Sequence, residues 1–229
     1  MAEKTKLWYL ENFNIFKELK ENSMMELGQI SSMHEFPKNQ PIYFAKEPSN
    51  SIFFLKQGRV KLTRSSTDGK EMILGLVNMG EVFGELAFID EGQRTDFAIA
   101  MDNCTVCAIN KEEFKQFVDK NPGLNLKLTR LIGLRLKKYS ERIEELIFKD
   151  ANQRIVSFLI KLSEEQGKKV GDEFFVKPFL KHQDIAELTA CSRQTVNAVL
   201  TELRDNHIID FDRKKLVIKK PDKLKELLK

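Results

Sequence analysis

Residues 181–203 constrain the fold of this chain more than any other segment. Apolar residues recur there at helical spacing on both sides of a short interruption at residues 189–191. Small Ala186 lets a second helix cross the first closely, and Ser192 is a favourable N-cap for that second helix. The apolar positions that would form the shared inner face are Ile185, Leu188, Val196, Val199, Leu200 and Leu203. This arrangement predicts a helix-turn-helix.

The first turns of the predicted second helix carry polar side chains. Arg193, Gln194 and Asn197 fall on one face, and side chains at such positions of a recognition helix meet base edges in the major groove. Arginine can bridge O6 and N7 of guanine, whereas glutamine or asparagine can bridge N6 and N7 of adenine. The alternative is a solvated face on an ordinary helical hairpin, which would carry the same residues.

The segment that follows favours DNA contact over that alternative. Residues 208–211 and 216–218 have the pattern of two strands, and residues 212–215 form a charged turn between them. Basic residues that suit phosphate groups cluster in this region: Arg213, Lys214, Lys215, Lys219 and Lys220. We therefore predict a winged helix-turn-helix that binds double-stranded DNA.

Residues 37–110 have a different sequence pattern, with short apolar runs separated by Gly, Pro, Asn and Asp. The runs are residues 41–44, 52–55, 60–63, 72–77, 97–101 and 105–109. Many short strands at regular spacing predict a compact β-sandwich or roll, and Asp68-Gly69 suits a hairpin turn within it. Before the roll, residues 10–35 predict short helices, because apolar residues up to Met33 recur three or four apart.

Residues 123–148 are the longest predicted element, a helix with two apolar faces. One face steps by three or four residues through Leu128, Ile132, Leu136, Tyr139, Ile143, Leu146 and Ile147. A second row comprises Leu124, Leu131 and Leu134. Two apolar faces need two partners, and the β-domain and a second copy of the chain would supply them. Burial inside a monomer is the alternative. A further helix over residues 151–165, capped by Asp150, places a domain boundary near residue 150.

Four segments together resemble the family of the cyclic-AMP receptor protein and the fumarate-nitrate regulator (CRP/FNR). They are residues 53–60, the cassette of residues 80–86, the long helix and residues 191–196. The resemblance covers nearly the whole chain and implies an α+β fold with three parts. These are a cyclic-nucleotide-binding-like β-roll sensor with N-terminal helices (1–122), a dimerisation helix (123–149) and a winged helix-turn-helix (150–229). It also implies a homodimeric transcription regulator that reads palindromic DNA sites and contacts RNA polymerase.

The resemblance assigns the guanine-reading arginine of the family to Arg193. The next family position is often glutamate and is Gln194 here, and a third, often arginine, is Ala198. We expect Gln194 to read an adenine beside the guanine. The start of the first helix matches family positions that touch phosphate. The candidate DNA-binding residues are Lys181, His182, Gln183, Ser192, Arg193, Gln194, Thr195 and Asn197.

Family members that bind cyclic AMP use a glutamate for the ribose hydroxyl and an arginine with a following Ser or Thr for the phosphate. The matching candidate effector residues are Gly84, Glu85, Leu86, Arg94, Thr95, Tyr139 and Ser140. Asp96 departs from a usually small, uncharged position, and bulky Tyr139 could fill the base site. A cyclic nucleotide, another small effector and no ligand therefore all stay open. In the last case, Glu85 and Arg94 would form a salt bridge inside the roll.

Other cofactors are not indicated by the sequence. Three cysteines cannot supply the four thiolates of an iron–sulfur cluster. Cys104 and Cys107 lie three apart on a predicted strand, so they would point to opposite faces. The three histidines lack metal-ligand spacing, which predicts no metal site but leaves haem bound through a single histidine open.

The remaining features bound the class of protein. No nucleophile–base motif, P-loop or dinucleotide fingerprint is present, so we expect no enzyme. Sparse cysteines and an N-terminus without the apolar core of a signal peptide favour the cytoplasm. The net charge of +4 is only mildly basic and does not prove a nucleic-acid partner. A cyclic-nucleotide-binding module whose C-terminal domain mediates protein interactions is therefore the alternative function.

Overall fold

A computed structural model of the 229-residue chain describes residues 10, 13, 15–69, 71–88 and 92–228, with the backbone alone for residues 87 and 88. The chain divides into two compact units, Met1–Leu136 and Lys137–Lys229. The division falls inside the long helix, so the three-part organisation in the sequence stays a prediction. No helix among the described residues is both long and apolar enough to span a bilayer.

The first unit is built on two antiparallel sheets of four strands each. One sheet has the order β1-β8-β3-β6 and the other β2-β7-β4-β5. The strands are β1 Ser31–Phe36, β2 Pro41–Tyr43, β3 Ser51–Gln57, β4 Val60–Ser65, β5 Glu71–Val77, β6 Val82–Phe83, β7 Phe97–Ala100 and β8 Cys104–Asn110. A short 3₁₀ helix, Glu85–Phe88, follows β6. This is the β-roll that the short, regularly spaced apolar runs predict.

Strand β8 separates two hydrophobic cores because its side chains alternate between the faces of the sheet. Cys104 and Val106 pack in the core between the two sheets, together with Phe53 and Phe83. Cys107 packs in the other core, which lies on the helix-covered side of the sheet and is called the outer core below. The prediction that Cys104 and Cys107 point to opposite faces is confirmed.

Helices cover the outer face of the first sheet. They are α1 Glu21–Gln29, α2 Lys111–Lys120 and the start of α3 Gly123–Phe148. Asn110 caps α2 by accepting a hydrogen bond from the Glu112 N–H at 2.8 Å. Leu124 and Leu128 of α3 are buried in the outer core. Helix α3 has the bounds that its apolar periodicity predicts.

The prediction of helix for residues 30–35 is wrong. Helix α1 ends at Gln29, and β1 pairs with β8 over its whole length, from Ser31 with Ile109 to Phe36 with Cys104. Met33 packs against the outer core from the strand. Its spacing from Ile30 matches a helical period by coincidence, and the long-range ladder to β8 decides the conformation.

The second unit combines four helices with one four-stranded sheet of order β11-β12-β10-β9. Besides the end of α3, its elements are α4 Ala151–Gln166, β9 Lys168–Val170, β10 Glu173–Val176, α5 His182–Thr189, α6 Arg193–Asp205, β11 Ile209–Phe211, β12 Leu216–Ile218 and α7 Pro221–Glu226. Asp150 caps α4 in a capping box with Gln153. The helix-turn-helix and wing strands are as predicted, whereas β9 and β10 were not foreseen.

Candidate nucleic-acid interface and effector site

The turn between α5 and α6 is closed by local hydrogen bonds. Ala190 ends α5 in the left-handed conformation at φ 51°. The Cys191 N–H then donates to the Ala186 carbonyl at 3.0 Å, and Ser192 Oγ accepts from the Thr195 N–H at 3.0 Å. The Ser192 side chain therefore caps α6, and this fixes where the first turn of that helix begins.

Packing decides which side of α6 remains exposed. Most of the side chains that the sequence assigns to the inner face are buried, together with small Ala186: Ile185, Val196, Val199, Leu200 and Leu203. Leu188, also assigned to that face, is half-buried. Arg193, Gln194 and Asn197 are exposed and lie on the first two turns of α6. The structure therefore brings together the three side chains that the sequence proposes for base contact.

Arg154 of α4 holds the turn in place. Its Nε donates to the Thr189 carbonyl at 2.9 Å, and its Nη2 donates to the Ala190 carbonyl at 3.2 Å. Its Nη1 donates to the Lys149 carbonyl at 2.9 Å. One guanidinium thus ties the helix-turn-helix to the end of α3. The sequence does not predict this role of Arg154, because nothing in its local pattern distinguishes it from a surface arginine.

The candidate residues at the start of α5 differ in their contacts. Lys181 stands at the N-cap without a side-chain capping bond. Gln183 Nε2 donates to Glu187 Oε1 at 3.0 Å along the same helix. The His182 imidazole is hydrogen-bonded through Nδ1 to Asn197 Oδ1 of α6. The sequence predicts that Asn197 contacts a base. In the structure, its side-chain oxygen is hydrogen-bonded to His182.

The turn of the wing is stabilised by Asp212. Its Oδ1 accepts from the Lys214 N–H at 2.6 Å and from the Lys215 N–H at 3.0 Å. These backbone hydrogen bonds, that from Lys214 foremost, lower the pKa of the Asp212 carboxyl. Arg213, Lys214 and Lys215 are all exposed. The turn therefore presents three cationic side chains, as an element that contacts phosphates would.

The candidate effector residues of the roll lie around the buried side chain of Arg94, which is 8% exposed. Arg94 Nη2 donates to the Ser51 carbonyl at 2.7 Å. The guanidinium carbon lies 3.9 Å from the centre of the Tyr43 ring and 5.2 Å from that of Phe53. The guanidinium is thus held by the Ser51 carbonyl and by cation–π contacts, and burial lowers its pKa.

Glu85, the candidate ribose ligand, is buried and forms an ion pair with Arg135 of α3. Arg135 also donates to the Val82 carbonyl. The salt bridge between Glu85 and Arg94 that the sequence offers as an alternative is therefore wrong. Arg135 is the ion-pair partner of Glu85 instead of Arg94. The sequence does not indicate this pair, because Arg135 lies fifty residues after Glu85, in a helix that is predicted from its apolar residues alone.

Asp96 faces the same region. The Tyr43 hydroxyl donates to both carboxylate oxygens at 3.4 Å. Burial raises the pKa of Asp96, against the lowering effects of the Tyr43 hydrogen bond and the Arg94 charge. Burial, with the Asp96 charge as the next cause, also raises the pKa of Tyr43. The side chains of Arg94, Asp96 and Tyr43 are therefore bound to one another within the roll.

Apart from Gly84, the other candidate effector residues are exposed. Thr95 is exposed, and its hydroxyl accepts from Arg64 Nη2 at 3.0 Å. Leu86 is also exposed. Tyr139 and Ser140 belong to the second unit, where both are exposed.

These contacts test whether the roll fits a cyclic nucleotide. Ser51 takes one N–H of the Arg94 guanidinium, and Arg64 donates to the Thr95 hydroxyl oxygen. The other guanidinium hydrogens and the Thr95 hydroxyl proton remain donors that a cyclic phosphate could use. Such a phosphate would bring a second negative charge beside Asp96 in a region of low dielectric, which is unfavourable. The residue types match those of cyclic-nucleotide sites, and the Asp96 carboxylate is the feature of this arrangement that opposes the ligand.

We expect Gly84→Ala to destabilise the first unit more than Gly80→Ala. Both glycines have positive φ, 70° and 89°, so both substitutions add backbone strain of about 1–2 kcal/mol. A Cβ at Gly84 would also lie 2.9 Å from Arg94 Nη1 and 3.0 Å from Phe53 Cδ2, whereas Gly80 has open space. Because Arg94 is fixed by Ser51 and Tyr43, overpacking should add about 1–3 kcal/mol.

Urea unfolding followed by circular dichroism of both variants measures this difference. Equal loss of stability in the two variants would show that the Arg94 side chain moves freely, and would contradict the arrangement described.

Two family descriptions match the chain. Residues 33–121 match the cyclic nucleotide-binding domain, and residues 153–227 match the Crp-like helix-turn-helix domain. The cAMP-activated global transcriptional regulator CRP of Pasteurella multocida is 30% identical over 188 residues, 81% of this chain and 89% of that protein. A CRP-like cAMP-activated global transcriptional regulator of Mycobacterium tuberculosis is 25% identical over 215 residues, 94% of this chain and 96% of that protein.

Solved structures share the fold. A double mutant of CooA from Carboxydothermus hydrogenoformans superimposes with a TM-score of 0.79 at 24% identity, covering 99% of this chain and 97% of that one. The c-di-GMP responsive global regulator CLP of Xanthomonas campestris has a TM-score of 0.72 at 21% identity, covering 87% of this chain and 99% of that one.

Proposed function

This chain belongs to the CRP/FNR family of DNA-binding transcription regulators, and from that premise we propose that it reads palindromic DNA as a homodimer. The observation that carries the proposal is the exposed cluster of Arg193, Gln194 and Asn197 on the capped first turns of α6. Two copies of α6 would enter successive major grooves about 34 Å apart. Arg193 reads a guanine in each half-site, and Gln194 reads an adjacent adenine.

The other candidate residues position the protein on the phosphates. Ser192 and Thr195 lie beside the capped N-terminus of α6, and Lys181 and Gln183 lie at the N-terminus of α5, which no side chain caps. Backbone N–H groups at helix N-termini favour anions. Together with the basic turn at residues 213–215, these groups would fix the register of α6 along the duplex without selecting bases.

The dimer is supported by the apolar stripe of α3 that the fold leaves uncovered. Leu136 is 66% exposed, Ile143 56% and Ile147 66%. These residues continue the stripe of Leu128, which is buried in the first unit. A row of large apolar side chains at coiled-coil spacing is expected to pair with a second copy of the same helix.

We expect DNA affinity to fall steeply with salt, and Lys215→Ala to lower the slope of log K against log salt by about 1. The reason is that each phosphate contact releases bound counterions. Lys168→Ala is the matched control, because it removes the same charge from β9, at the far edge of the sheet. Fluorescence anisotropy of a labelled duplex measures both slopes. Equal slopes for Lys215→Ala and wild type would show that Lys215 of the wing does not contact a phosphate.

For the sensor domain, we propose that the roll does not take a cyclic nucleotide in this arrangement. The Ser51 carbonyl and the Tyr43 ring hold the Arg94 guanidinium in place, and the Asp96 carboxylate opposes an added phosphate. In calorimetric titration with cyclic AMP and cyclic GMP we expect no saturable heat from the wild type. Asp96→Ala should gain binding of the nucleotide, whereas Asp119→Ala, which removes an exposed carboxylate from α2, should not. Saturable wild-type binding that Arg94→Ala abolishes would contradict the proposal.

The family membership also supports a place of action. We propose that the DNA-bound dimer contacts RNA polymerase and acts in the cytoplasm, where both partners are found in bacteria.

A further inference from the structure

The imidazole of His182 packs against two aromatic rings. Its centroid lies 6.5 Å from that of Phe179 and 5.5 Å from that of Phe211, and both contacts are edge-to-face. Phe179 is buried, and Phe211 belongs to strand β11 of the wing. Edge-to-face contacts of this kind are favourable, so the ring has little freedom to turn away from the neighbouring helix.

The same ring joins the start of α5 to the second turn of α6. Its Nδ1 is hydrogen-bonded to Oδ1 of Asn197. An amide oxygen can only accept a hydrogen bond, so Nδ1 carries the proton in this pair. The Asn197 amide is thereby oriented with its oxygen turned toward His182 and its NH₂ group turned away from the imidazole.

We propose that His182 is a positioning residue that makes Asn197 a donor-only reader of DNA bases. The inference rests on the proposed function, in which α6 enters the major groove. A free asparagine bridges adenine by accepting from N6 and donating to N7. The Asn197 oxygen has a second lone pair, but it is turned toward His182, so the NH₂ group is the part of the amide presented on the side away from the imidazole. Its outward NH₂ group then fits the acceptors O6 and N7 of guanine, or O4 of thymine, and opposes the N6 donor of adenine.

Selection of binding sites from a random duplex library tests this inference with four proteins: wild type, Asn197→Ala, His182→Ala and His182→Asn. The position at which Asn197→Ala relaxes the selected sequence identifies the base that Asn197 reads. At that position we expect the wild type to prefer guanine or thymine. His182→Ala frees the Asn197 oxygen, so its ratio of adenine to guanine should rise about tenfold. His182→Asn restores a donor near Nδ1 and should keep the wild-type preference.

Several outcomes would overturn the inference. One is that His182→Ala weakens all sequences equally, as loss of a phosphate contact would. Another is that Asn197→Ala relaxes no position. A wild type that enriches no sequence at all would overturn the proposed function as well, and this distinguishes the two failures.

The tautomer of His182 is an independent readout that needs no DNA. Long-range ¹H–¹⁵N correlation spectra of the full chain should show a proton on Nδ1 of His182, and Asn197→Ala should change the Nδ1 shift. A neutral ring protonated only on Nε2 would contradict the proposed hydrogen bond, whatever the DNA selection gives.

Discussion

Ile143→Glu is expected to convert the protein to a monomer and to lower its affinity for a palindromic site about 10²- to 10⁴-fold. The side chain is 56% exposed in the chain alone, so the substitution should leave each unit folded. In a dimer paired through α3, the two carboxylates would be buried against apolar side chains, which is strongly unfavourable. A monomer retains a single half-site contact and loses the avidity that two linked contacts provide.

Analytical ultracentrifugation and anisotropy titration of the same samples test this expectation. Lys137→Glu is the control, since Lys137 is exposed on another side of α3 and its reversal should leave the dimer intact. A dimeric Ile143→Glu protein with wild-type DNA affinity would show that the exposed stripe of α3 is not the dimer interface.

Arg193→Ala is expected to cost about 1–3 kcal/mol of binding to the preferred site and to relax one base position in each half-site. Arg193 stands on the first turn of α6, where the Ser192 cap fixes the direction of the helix start. A bidentate pair to guanine would be lost, whereas the phosphate contacts remain, so affinity for unrelated sequences should change little.

Comparison of the preferred duplex with the three variants that replace the guanine measures the loss at that position. Arg213→Ala provides the contrast, because Arg213 lies in the wing turn and should weaken every sequence by a similar factor. If Arg193→Ala weakens all duplexes uniformly and leaves the base preference intact, then Arg193 contacts phosphate rather than guanine.

The features that the sequence predicts correctly are those encoded by local patterns. The Ser192 cap, the apolar periodicity of α5 and α6, and the stripe of α3 each depend on residues a few positions apart. The alternation of β8 likewise separates Cys104 from Cys107. Such signals survive in the fold because packing reinforces them.

The features that were missed depend on distant partners. Strand β1 forms because β8 offers it a complete ladder, and β9 and β10 form because the wing strand β12 extends into a wider sheet. Of the charged residues, Glu85 finds its partner in Arg135, and Asp96 finds its partner in Tyr43. A motif match gives the residue types at these positions, but only the packed roll decides which side chains satisfy each other.

The central claim is that this protein is a dimer that reads DNA sequence through α6. The most direct test is the affinity of wild-type protein for its library-selected duplex and for a scrambled duplex, each titrated at several salt concentrations. We expect a selected site with two-fold symmetry, half-sites one helical turn apart, and an affinity at least about 10³-fold above that for the scrambled duplex. Equal affinity for both duplexes at every salt concentration would contradict it, and would favour a C-terminal domain that binds protein instead.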